Sequence, residues 1–311
     1  MSKAIYVTTI ESDSGKSLVS LGLLRMMLTR SPKVGYFRPI INKTKNDSFD
    51  NHTNTAINFF NLNTTHDECF AYHQYEVVEL LSEGKEDEII HTIIKKYKEL
   101  EKKFDYVLVE GTDFSGEGGF TEVDVNLMIA KNLGIPVLIV GAGNGKKKKD
   151  FINTMQITYN SFMQKEVDVL GVIANKIQAD EVEFIKNELN SFIPKKVSID
   201  IIPNINLLAY PTVKEVVDSL ESKILFGEQF INNAIGSYST GAMQLRNYLT
   251  RIQENALVIT PGDRADIILG ALQANASSNY PKISGIILTG GLIPEDSNLK
   301  LIEGVQSTIP I

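Results

Sequence analysis

Short runs of apolar, often β-branched residues recur along the chain between longer segments in which apolar residues repeat at helical spacing. This alternation is typical of βα units that build a parallel sheet. The apolar runs are continuous, as expected where helices cover both faces of a sheet. The sequence therefore predicts an α/β fold. Its main sheet is expected to contain six strands, at residues 4–8, 34–37, 106–109, 137–140, 169–174 and 197–202.

The same alternation of apolar runs and helical segments begins again in the last third of the chain and predicts a second, smaller α/β domain. This domain is expected to contain two strands and two helices, at residues 256–259, 283–288, 263–273 and 299–305. We place a parallel-sheet domain at residues 1–223 and the smaller domain at residues 224–311. Residues 307–311 look like the opening of another strand with nothing after it to cover it, so we expect the smaller domain to be truncated at its C-terminus.

Two capping signatures mark helix starts. Asp180 precedes Glu183 by three residues, and Thr212 precedes Glu215 by the same interval. In such a capping box the first side chain accepts a hydrogen bond from the third helical amide, and the Glu reaches back. We therefore predict helix starts at both places. Residues 42–63, rich in Asn, Thr and Asp, are predicted to form a surface loop that leads into a short helix.

Charge and hydropathy exclude several classes of protein. Lys and Arg number 31 against 38 Asp and Glu, and the resulting net charge of −7 has the wrong sign for neutralising many duplex phosphates. No stretch approaches the roughly 18 apolar residues of a membrane helix, and Glu11 and Asp13 follow the N-terminal strand too closely for a signal peptide. We therefore expect a cytoplasmic protein without nucleic-acid or membrane partners.

The chain contains few cysteine and histidine side chains that could bind a metal ion. Cys69 is the single cysteine, so neither an internal disulfide nor a multi-cysteine metal site can form. The chain has four histidines, His52, His66, His73 and His91. This composition disfavours a zinc enzyme, and we expect any metal to be bound through oxygen.

The first predicted strand is followed by a loop at residues 9–17 and then by an apolar helical stretch. A phosphate-binding loop needs backbone amides, a lysine for the terminal phosphates and a hydroxyl for Mg²⁺, in front of a helix N-terminus. Thr9 opens the loop, and Gly15, Lys16 and Ser17 supply its second half. Ile10 stands where the usual motif has its first glycine, so the motif is degenerate. Nucleotide binding and an ordinary βα turn both remain open from the loop alone.

Other polar residues follow predicted strands at the edge where parallel sheets bind ligands. Glu110 ends one strand and, together with Ser17, is our candidate for holding Mg²⁺; it could instead be a loop partner. Arg38 follows another strand and could clamp a phosphate or carboxylate. Asn175 could read a nucleotide base, or it could satisfy the loop backbone. Asp50 is a weaker candidate metal ligand, in a loop whose position the sequence does not give.

The smaller domain carries two polar strand-end loops. Asp263 and Arg264 follow its first predicted strand, and Thr289, Gly290 and Gly291 follow its second. Asp263 could cap the next helix, and the two glycines could offer amides to an anion. Turn and cap chemistry would explain these residues, and a small-ligand site is the alternative.

The combination of these motifs resembles the N-terminal region of the long form of phosphate acetyltransferase, over nearly the whole chain. The first domain carries the resemblance at residues 9–17, 38–39, 109–111, 175–176 and 211–213. Asp263 and Arg264 together with residues 289–291 match the DRTGG domain, the most specific signal in the sequence. The first domain is also similar to ATP-dependent dethiobiotin synthetases. Those enzymes have glycine at Thr9 and lysine at Arg38, which argues against ligase chemistry here.

The resemblance implies a P-loop domain followed by a DRTGG domain that together support assembly and metabolite control. Acetyl transfer between coenzyme A and phosphate would belong to a further C-terminal domain. The expected ligands are ATP or another nucleotide with Mg²⁺, or NADH as an effector. The expected partners are that acetyltransferase domain and further copies of the chain. A free-standing ATP- and Mg²⁺-dependent ligase and a scaffold with a vestigial pocket remain as alternatives.

Overall fold

The computed structural model describes residues 3–11, 13–42, 50–112, 122–205, 208, 210–305 and 309–311. The chain forms two compact units, residues 1–204 and residues 205–311. Each unit is an α/β structure of its own.

The first unit is built on a six-stranded sheet in which every neighbouring pair of strands is parallel. Its strands, in spatial order, are β2 (Val34–Phe37), β5 (Tyr106–Glu110), β1 (Lys3–Thr9), β6 (Val137–Ala142), β7 (Val169–Ile177) and β8 (Ser198–Pro203). A separate two-stranded parallel sheet pairs β3 (Ile40–Ile41) with β4 (Tyr72–His73). All six predicted strands of the main sheet are confirmed.

Helices provide the apolar surface that covers the main sheet. The helices are α1 (Lys16–Leu28), α2 (Asn51–Phe60), α3 (Gln74–Ser82), α4 (Glu86–Lys103), α5 (Glu122–Leu133), α6 (Lys148–Gln164) and α7 (Val182–Phe192). Successive residues of β1 point to opposite faces, so Tyr6 joins a core cluster with α4 to α7, and Val7 joins a second cluster with α1 and α2. The strands from β2 to β7 in the sheet order are therefore buried on both sides, which explains why they are mostly apolar. Strand β8 at the edge differs, because it alternates Ser198 and Asp200 with isoleucines and is partly exposed.

The second unit contains a three-stranded parallel sheet. Its strand order is β11 (Ile283–Thr289), β10 (Ala256–Pro261) and β9 (Ser237–Thr240). Its helices are α8 (Val213–Ser219), α9 (Leu245–Leu249), α10 (Ala265–Ala276) and α11 (Asp296–Gly304). The two predicted strands and two predicted helices of this domain are confirmed, and β9 is an addition.

The C-terminal residues are buried. Ile309 and Ile311 are 1% and 8% exposed and belong to the core of the second unit. The amide of Ile286 donates to the carbonyl of Pro310 at 3.0 Å, and the amide of Ile311 donates to Phe226 at 3.0 Å. The expectation of an uncovered strand opening at residues 307–311 is therefore wrong for residues 309–311; residues 307 and 308 lie outside the described part.

The division between the two units falls earlier than the predicted boundary after Lys223. Helix α8 packs on the second unit, where Val213 shares a cluster with Ile235 and Leu257. An isolated antiparallel bridge also joins Thr212 to Ala234. The apolar side of α8 therefore belongs with the smaller domain.

The two predicted capping boxes have different outcomes. The box of Thr212 with Glu215 is present at the start of α8, as predicted. The box of Asp180 with Glu183 is not, because Asp180 lies inside a 3₁₀ turn and Glu181 is the residue that precedes α7. The predicted short helix within residues 42–63 is α2; residues 43–49 lie outside the described part. No helix in the described ranges has the length and apolar character needed to span a bilayer.

Candidate functional site

The loop between β1 and α1 is held by side chains at the end of β7, which is separated from β1 in the sheet by β6. The side-chain amide of Asn175 donates to the carbonyl of Ser14 at 2.8 Å, and the ammonium of Lys176 donates to the carbonyl of Asp13 at 2.7 Å. Gly15 adopts φ +83°, and a Cβ there would collide with the Asn175 amide. The amide of Asn175 therefore positions the loop backbone, which is one of the two roles that the sequence left open for it. A base contact by Asn175 stays a prediction; residue 12 lies outside the described part.

Lys16 is the first residue of α1 and is only 3% exposed. Its ammonium donates to the carbonyl oxygen of Gly111 at 2.6 Å. Gly111 directly follows β5, so this contact ties the start of α1 to the carboxyl end of the adjacent strand. The loop lysine is thus positioned at the sheet edge where α/β proteins bind ligands.

Ser17, His52 and Glu110 meet beside Lys16. The Oγ atom of Ser17 lies 2.6 Å from Nδ1 of His52 and donates to Oε1 of Glu110 at 3.2 Å. The same His52 nitrogen lies 3.3 Å from that carboxylate oxygen. The structure therefore brings Ser17 and Glu110 together as predicted, and adds a histidine from α2.

The carboxylate of Glu110 is buried but ionised. Burial by itself would raise its pKa, yet the hydrogen bond with His52 and the positive charges of Lys16 and Arg38 lower the pKa to about 2. Burial and the neighbouring Glu110 carboxylate in turn raise the pKa of Tyr36 well above its usual range. At neutral pH the end of β5 therefore carries a fixed negative charge beside a neutral tyrosine.

Arg38 and Asp50 form a buried ion pair. Their side chains are 1% and 4% exposed, and a guanidinium nitrogen of Arg38 lies 3.3 Å from each carboxylate oxygen of Asp50. Asp50 also caps α2, because its Oδ1 accepts from the amide of Thr53 at 2.9 Å and from the hydroxyl of Thr53 at 2.8 Å. The observed ion pair and helix cap give both side chains a role in positioning α2. The predicted contact of Arg38 with a phosphate and that of Asp50 with a metal stay predictions.

Thr9 ends β1 and is 1% exposed. Its hydroxyl donates to the carboxylate of Glu122 at the start of α5. The predicted contact of Thr9 with a cofactor stays a prediction, and its observed partner is a carboxylate that the sequence did not single out.

Two adjoining cavities open at this edge. One of about 330 Å³ is lined by the loop residues and by Lys176 and His52, and another of about 260 Å³ lies between α1 and α2. Ser17 and His52 line both cavities. The first has the basic groups and backbone amides suited to phosphates. The second combines Leu21 and Ala56 with the Glu110 carboxylate.

In the second unit, the two polar loops lie side by side as predicted. Pro261 pairs with Thr289 in the register of β10 and β11, and the amide of Gly262 donates to the Thr289 carbonyl at 3.4 Å. Gly290 and Gly291 adopt φ +78° and +66°, the left-handed region that favours glycine. The sequence therefore identified one continuous edge of this sheet.

Arg264 anchors that edge rather than projecting freely from it. Its guanidinium binds Asp266 at 2.8 and 3.0 Å and donates to the carbonyls of Ala242 and Met243 at 3.3 and 2.7 Å. The residue before α10 is Arg264, and no side chain caps this helix. The expected Asp263 cap is therefore wrong. Ligand contacts by the predicted residues Asp263, Arg264, Thr289, Gly290 and Gly291 stay predictions.

The main site residue that the sequence reasoning missed is His52. It lies in the first turn of α2, away from any strand end, and was counted only as one of four histidines. No sequence motif marked it, because His52 reaches the site through Asp50, which caps α2 and pairs with Arg38 at the end of β2. No cluster of three or more His, Cys, Asp or Glu side chains suited to a metal occurs within the ranges that the structure describes.

A parallel sheet with a phosphate-type loop between its central strand and the following helix defines the first unit as P-loop NTPase-like. The chain belongs to the family described as AAA domain, which matches residues 3–212, and it continues with a DRTGG domain over residues 215–311.

Longer curated relatives match nearly the whole of this chain. A phosphate acetyltransferase of Nitratidesulfovibrio vulgaris is 37% identical over 98% of this chain and 44% of the relative. One from Synechocystis is 36% identical over 100% of this chain and 45% of the relative. The chain thus spans less than half the length of these relatives. Among solved structures, a plasmid partition protein of Borrelia burgdorferi is 17% identical, with a TM-score of 0.42, over 66% of this chain and 90% of that one.

Proposed function

We propose that this chain is the N-terminal regulatory and assembly region of a phosphate acetyltransferase, and that its P-loop binds the phosphates of a nucleotide effector with a divalent cation. The observation that carries the proposal is the grouping of Lys16, Ser17 and Glu110 at the carboxyl edge of the sheet. The proposal is also supported by the similarity of this chain, over almost its whole length, to longer phosphate acetyltransferases.

Each member of the group has a task in phosphate binding. Lys16 supplies a positive charge at the helix N-terminus, where the macrodipole also favours anions. Glu110 stays ionised and can hold a cation directly or through water, with the Ser17 hydroxyl beside it. An entering phosphate would replace the Gly111 carbonyl as the partner of Lys16. The 330 Å³ cavity provides the space for this exchange.

Acetyl transfer is assigned to the part of the relatives that lies outside this chain. That reaction needs a coenzyme A site, a phosphate pocket and a group that stabilises the developing charge, all held together. The cavity beside the loop offers one phosphate site. In this proposal, nucleotide binding changes the activity of an acetyltransferase domain elsewhere in the protein, and ATP, ADP and NADH are the candidate effectors.

The comparison of two lengths of the protein tests this assignment. The 311-residue chain and a version extended through the natural C-terminus are each mixed with acetyl phosphate and coenzyme A, and thioester absorbance is followed. We expect turnover only from the extended protein, and we expect ATP or NADH to change its rate. Turnover by the 311-residue chain near the extended protein's rate would overturn the regulatory proposal.

The edge of the second unit is proposed as a contact surface for assembly. The turn after β11 places Leu292 and Ile293 at 45% and 67% exposure next to Gly262. A neighbouring subunit or the acetyltransferase domain would cover these side chains. Light scattering of the extended protein should show weaker association for Ile293→Asp than for Ile157→Asp, an exposed position on α6. Equal masses for both variants and the unaltered protein would remove the assembly role.

A free-standing ATP-dependent ligase is the second candidate, because the 260 Å³ cavity adjoins the phosphate loop and could hold a second substrate. A ligase would release ADP when ATP, Mg²⁺, bicarbonate and a diamine substrate are supplied together. The effector proposal expects ATP to remain intact in that mixture. Phosphorus NMR of the incubated mixture distinguishes the two.

A further inference from the structure

Electron-pair donors from three separate elements meet beside the phosphate loop. They are Oγ of Ser17 at the start of α1, Nδ1 of His52 in the first turn of α2, and Oε1 of Glu110 at the end of β5. Their mutual separations are 2.6, 3.2 and 3.3 Å. An octahedral ion with bonds of about 2.1 Å holds adjacent ligands about 3.0 Å apart. The 3.2 and 3.3 Å separations are close to the edge of such an octahedron, and the 2.6 Å contact between Ser17 and His52 would lengthen by about 0.4 Å to form the third edge of one triangular face.

We propose that this face binds an octahedral divalent first-row transition-metal ion, such as Mn²⁺, with His52 as a direct ligand that makes the site prefer this ion to Mg²⁺. The inference rests on the proposed nucleotide site, whose phosphate oxygens and water would supply the other three ligands. It also replaces the expectation from composition that any metal would be bound through oxygen alone.

The preference follows from the chemistry of the donors. Mg²⁺ favours oxygen ligands and gives up its water reluctantly, whereas imidazole nitrogen suits the later first-row transition metals. A site made of carboxylate, hydroxyl and phosphate oxygens would accept Mg²⁺ well. Adding His52 to the same face lowers the fit for Mg²⁺ and raises the affinity for first-row ions in the order Mn²⁺ < Co²⁺ < Ni²⁺. His52 is 39% exposed and lines both cavities, so an ion arriving with a ligand can reach it.

The surrounding charges indicate how the ion enters. Glu110 is 2% exposed, and the positive charges of Lys16 and Arg38 act on it. Those two cations oppose binding of a bare divalent ion. Nucleotide phosphates offset them, so the metal and the nucleotide should strengthen each other's binding, as linkage requires. We expect Mn²⁺ to bind weakly alone and more tightly with ATP.

Pulsed electron paramagnetic resonance of Mn²⁺ with ATP tests the ligand itself. A directly bound imidazole nitrogen couples to the Mn²⁺ electron spin. We expect this ¹⁴N coupling in the unaltered protein and in His91→Gln, which changes an exposed histidine of α4. His52→Gln should remove the coupling. Its persistence in His52→Gln, or its absence from the unaltered protein, would overturn the inference.

Calorimetry with ATP tests the preference. In the unaltered protein we expect ATP to bind about tenfold more tightly with Co²⁺ than with Mg²⁺, because Co²⁺ gains more from the imidazole nitrogen. His52→Gln should reduce the difference between the ATP affinities measured with the two ions. His52→Asp should raise the affinity with Mg²⁺ relative to that with Co²⁺, because a carboxylate is a harder ligand than imidazole. Equal affinities with the two ions in the unaltered protein would overturn the inference and leave the proposed nucleotide site intact.

If the proposed nucleotide site is wrong, calorimetry gives a different result. ATP then shows no binding with either metal ion and none when a chelator removes the metal. Because weak binding is expected without nucleotide, resonance spectra at millimolar Mn²⁺ would then decide the cation site: ¹⁴N coupling that disappears in His52→Gln supports it, and no ¹⁴N coupling in the unaltered protein at that concentration overturns it.

Discussion

The ammonium of Lys16 lies 2.6 Å from the carbonyl oxygen of Gly111, so the first residue of α1 is fastened to the end of β5. The same pair of elements brings the Ser17 hydroxyl within 3.2 Å of Glu110. Without its first glycine, the loop still positions its lysine and hydroxyl through these contacts and through Asn175 on β7. The degenerate motif therefore keeps its lysine and its hydroxyl at the carboxyl edge of the sheet.

Replacing Gly15 by Ala should damage the loop by two separate effects. The positive φ costs an L-residue about 1–2 kcal/mol, and the added Cβ would collide with the Asn175 amide. Gly134→Ala is the matched control, since Gly134 has φ +64° with no other atom near its Cβ position. We expect urea unfolding to show a larger loss for Gly15→Ala and calorimetry to show weaker ATP binding. Equal losses for the two variants would mean that the Asn175 contact does not constrain the loop.

Asn175→Ala should loosen the phosphate loop by removing the hydrogen bond to Ser14. We expect the free energy of unfolding to fall by about 0.5–1.5 kcal/mol and ATP binding to weaken. Asn190→Ala removes a similar amide bond, 2.7 Å long, to a carbonyl on the exposed side of α7. ATP affinity should not change in that control. If the two variants bound ATP equally well, the positioning role of Asn175 would be wrong.

Glu110 should make the first unit sensitive to acid. Its folded-state pKa of about 2 lies below the ordinary value of 4.5, so the ionised group stabilises the fold above pH 4.5. That contribution is lost as the pH falls from 4.5 toward 2. Glu110→Gln should therefore flatten the pH dependence of the unfolding free energy in this window, and Glu99→Gln at an exposed site of α4 should not. An unchanged slope in Glu110→Gln would contradict the ionised, buried carboxylate.

The buried pair of Arg38 and Asp50 should be coupled in a double-mutant cycle. Removing one partner leaves the other charge buried, and such losses typically cost about 3–5 kcal/mol. We expect Arg38→Met and Asp50→Asn each to destabilise the first unit, and the double variant to lose less than the sum. Urea denaturation of the four proteins measures the coupling. Additive losses would show that the two side chains act independently.

The parts of the fold that were predicted from sequence are those with strong local signals. The main-sheet strands are mostly apolar runs between helical segments, and all six were recognised, including β8, in which Ser198 and Asp200 alternate with isoleucines. Strand β9 was missed because three of the four residues in Ser237–Thr240 are polar and the strand lies at a sheet edge with alternate residues exposed. Burial of Ile309 and Ile311 depends on contacts with Ile286 and Phe226, which sequence spacing does not reveal.

The site was predictable where it follows strand ends and unpredictable where it depends on helix placement. Lys16, Ser17 and Glu110 were grouped because parallel strands end at one edge. His52 joins them only because Asp50 caps α2 and pairs with Arg38, a tertiary contact without a sequence motif. Arg264 likewise carried no sign that its partners would be Asp266 and two backbone carbonyls.

The most direct test of the account is titration calorimetry of the 311-residue protein with ATP, ADP and NADH. The account predicts saturable binding of at least one of these, with Lys16→Ala weakening it about ten- to a hundredfold, because a charge-assisted contact is worth about 1.5–3 kcal/mol. Lys131→Ala, an exposed position on α5, should bind like the unaltered protein. The absence of binding heat with all three ligands at millimolar concentration, or equal binding by Lys16→Ala, would contradict the assignment of this loop as a nucleotide phosphate site.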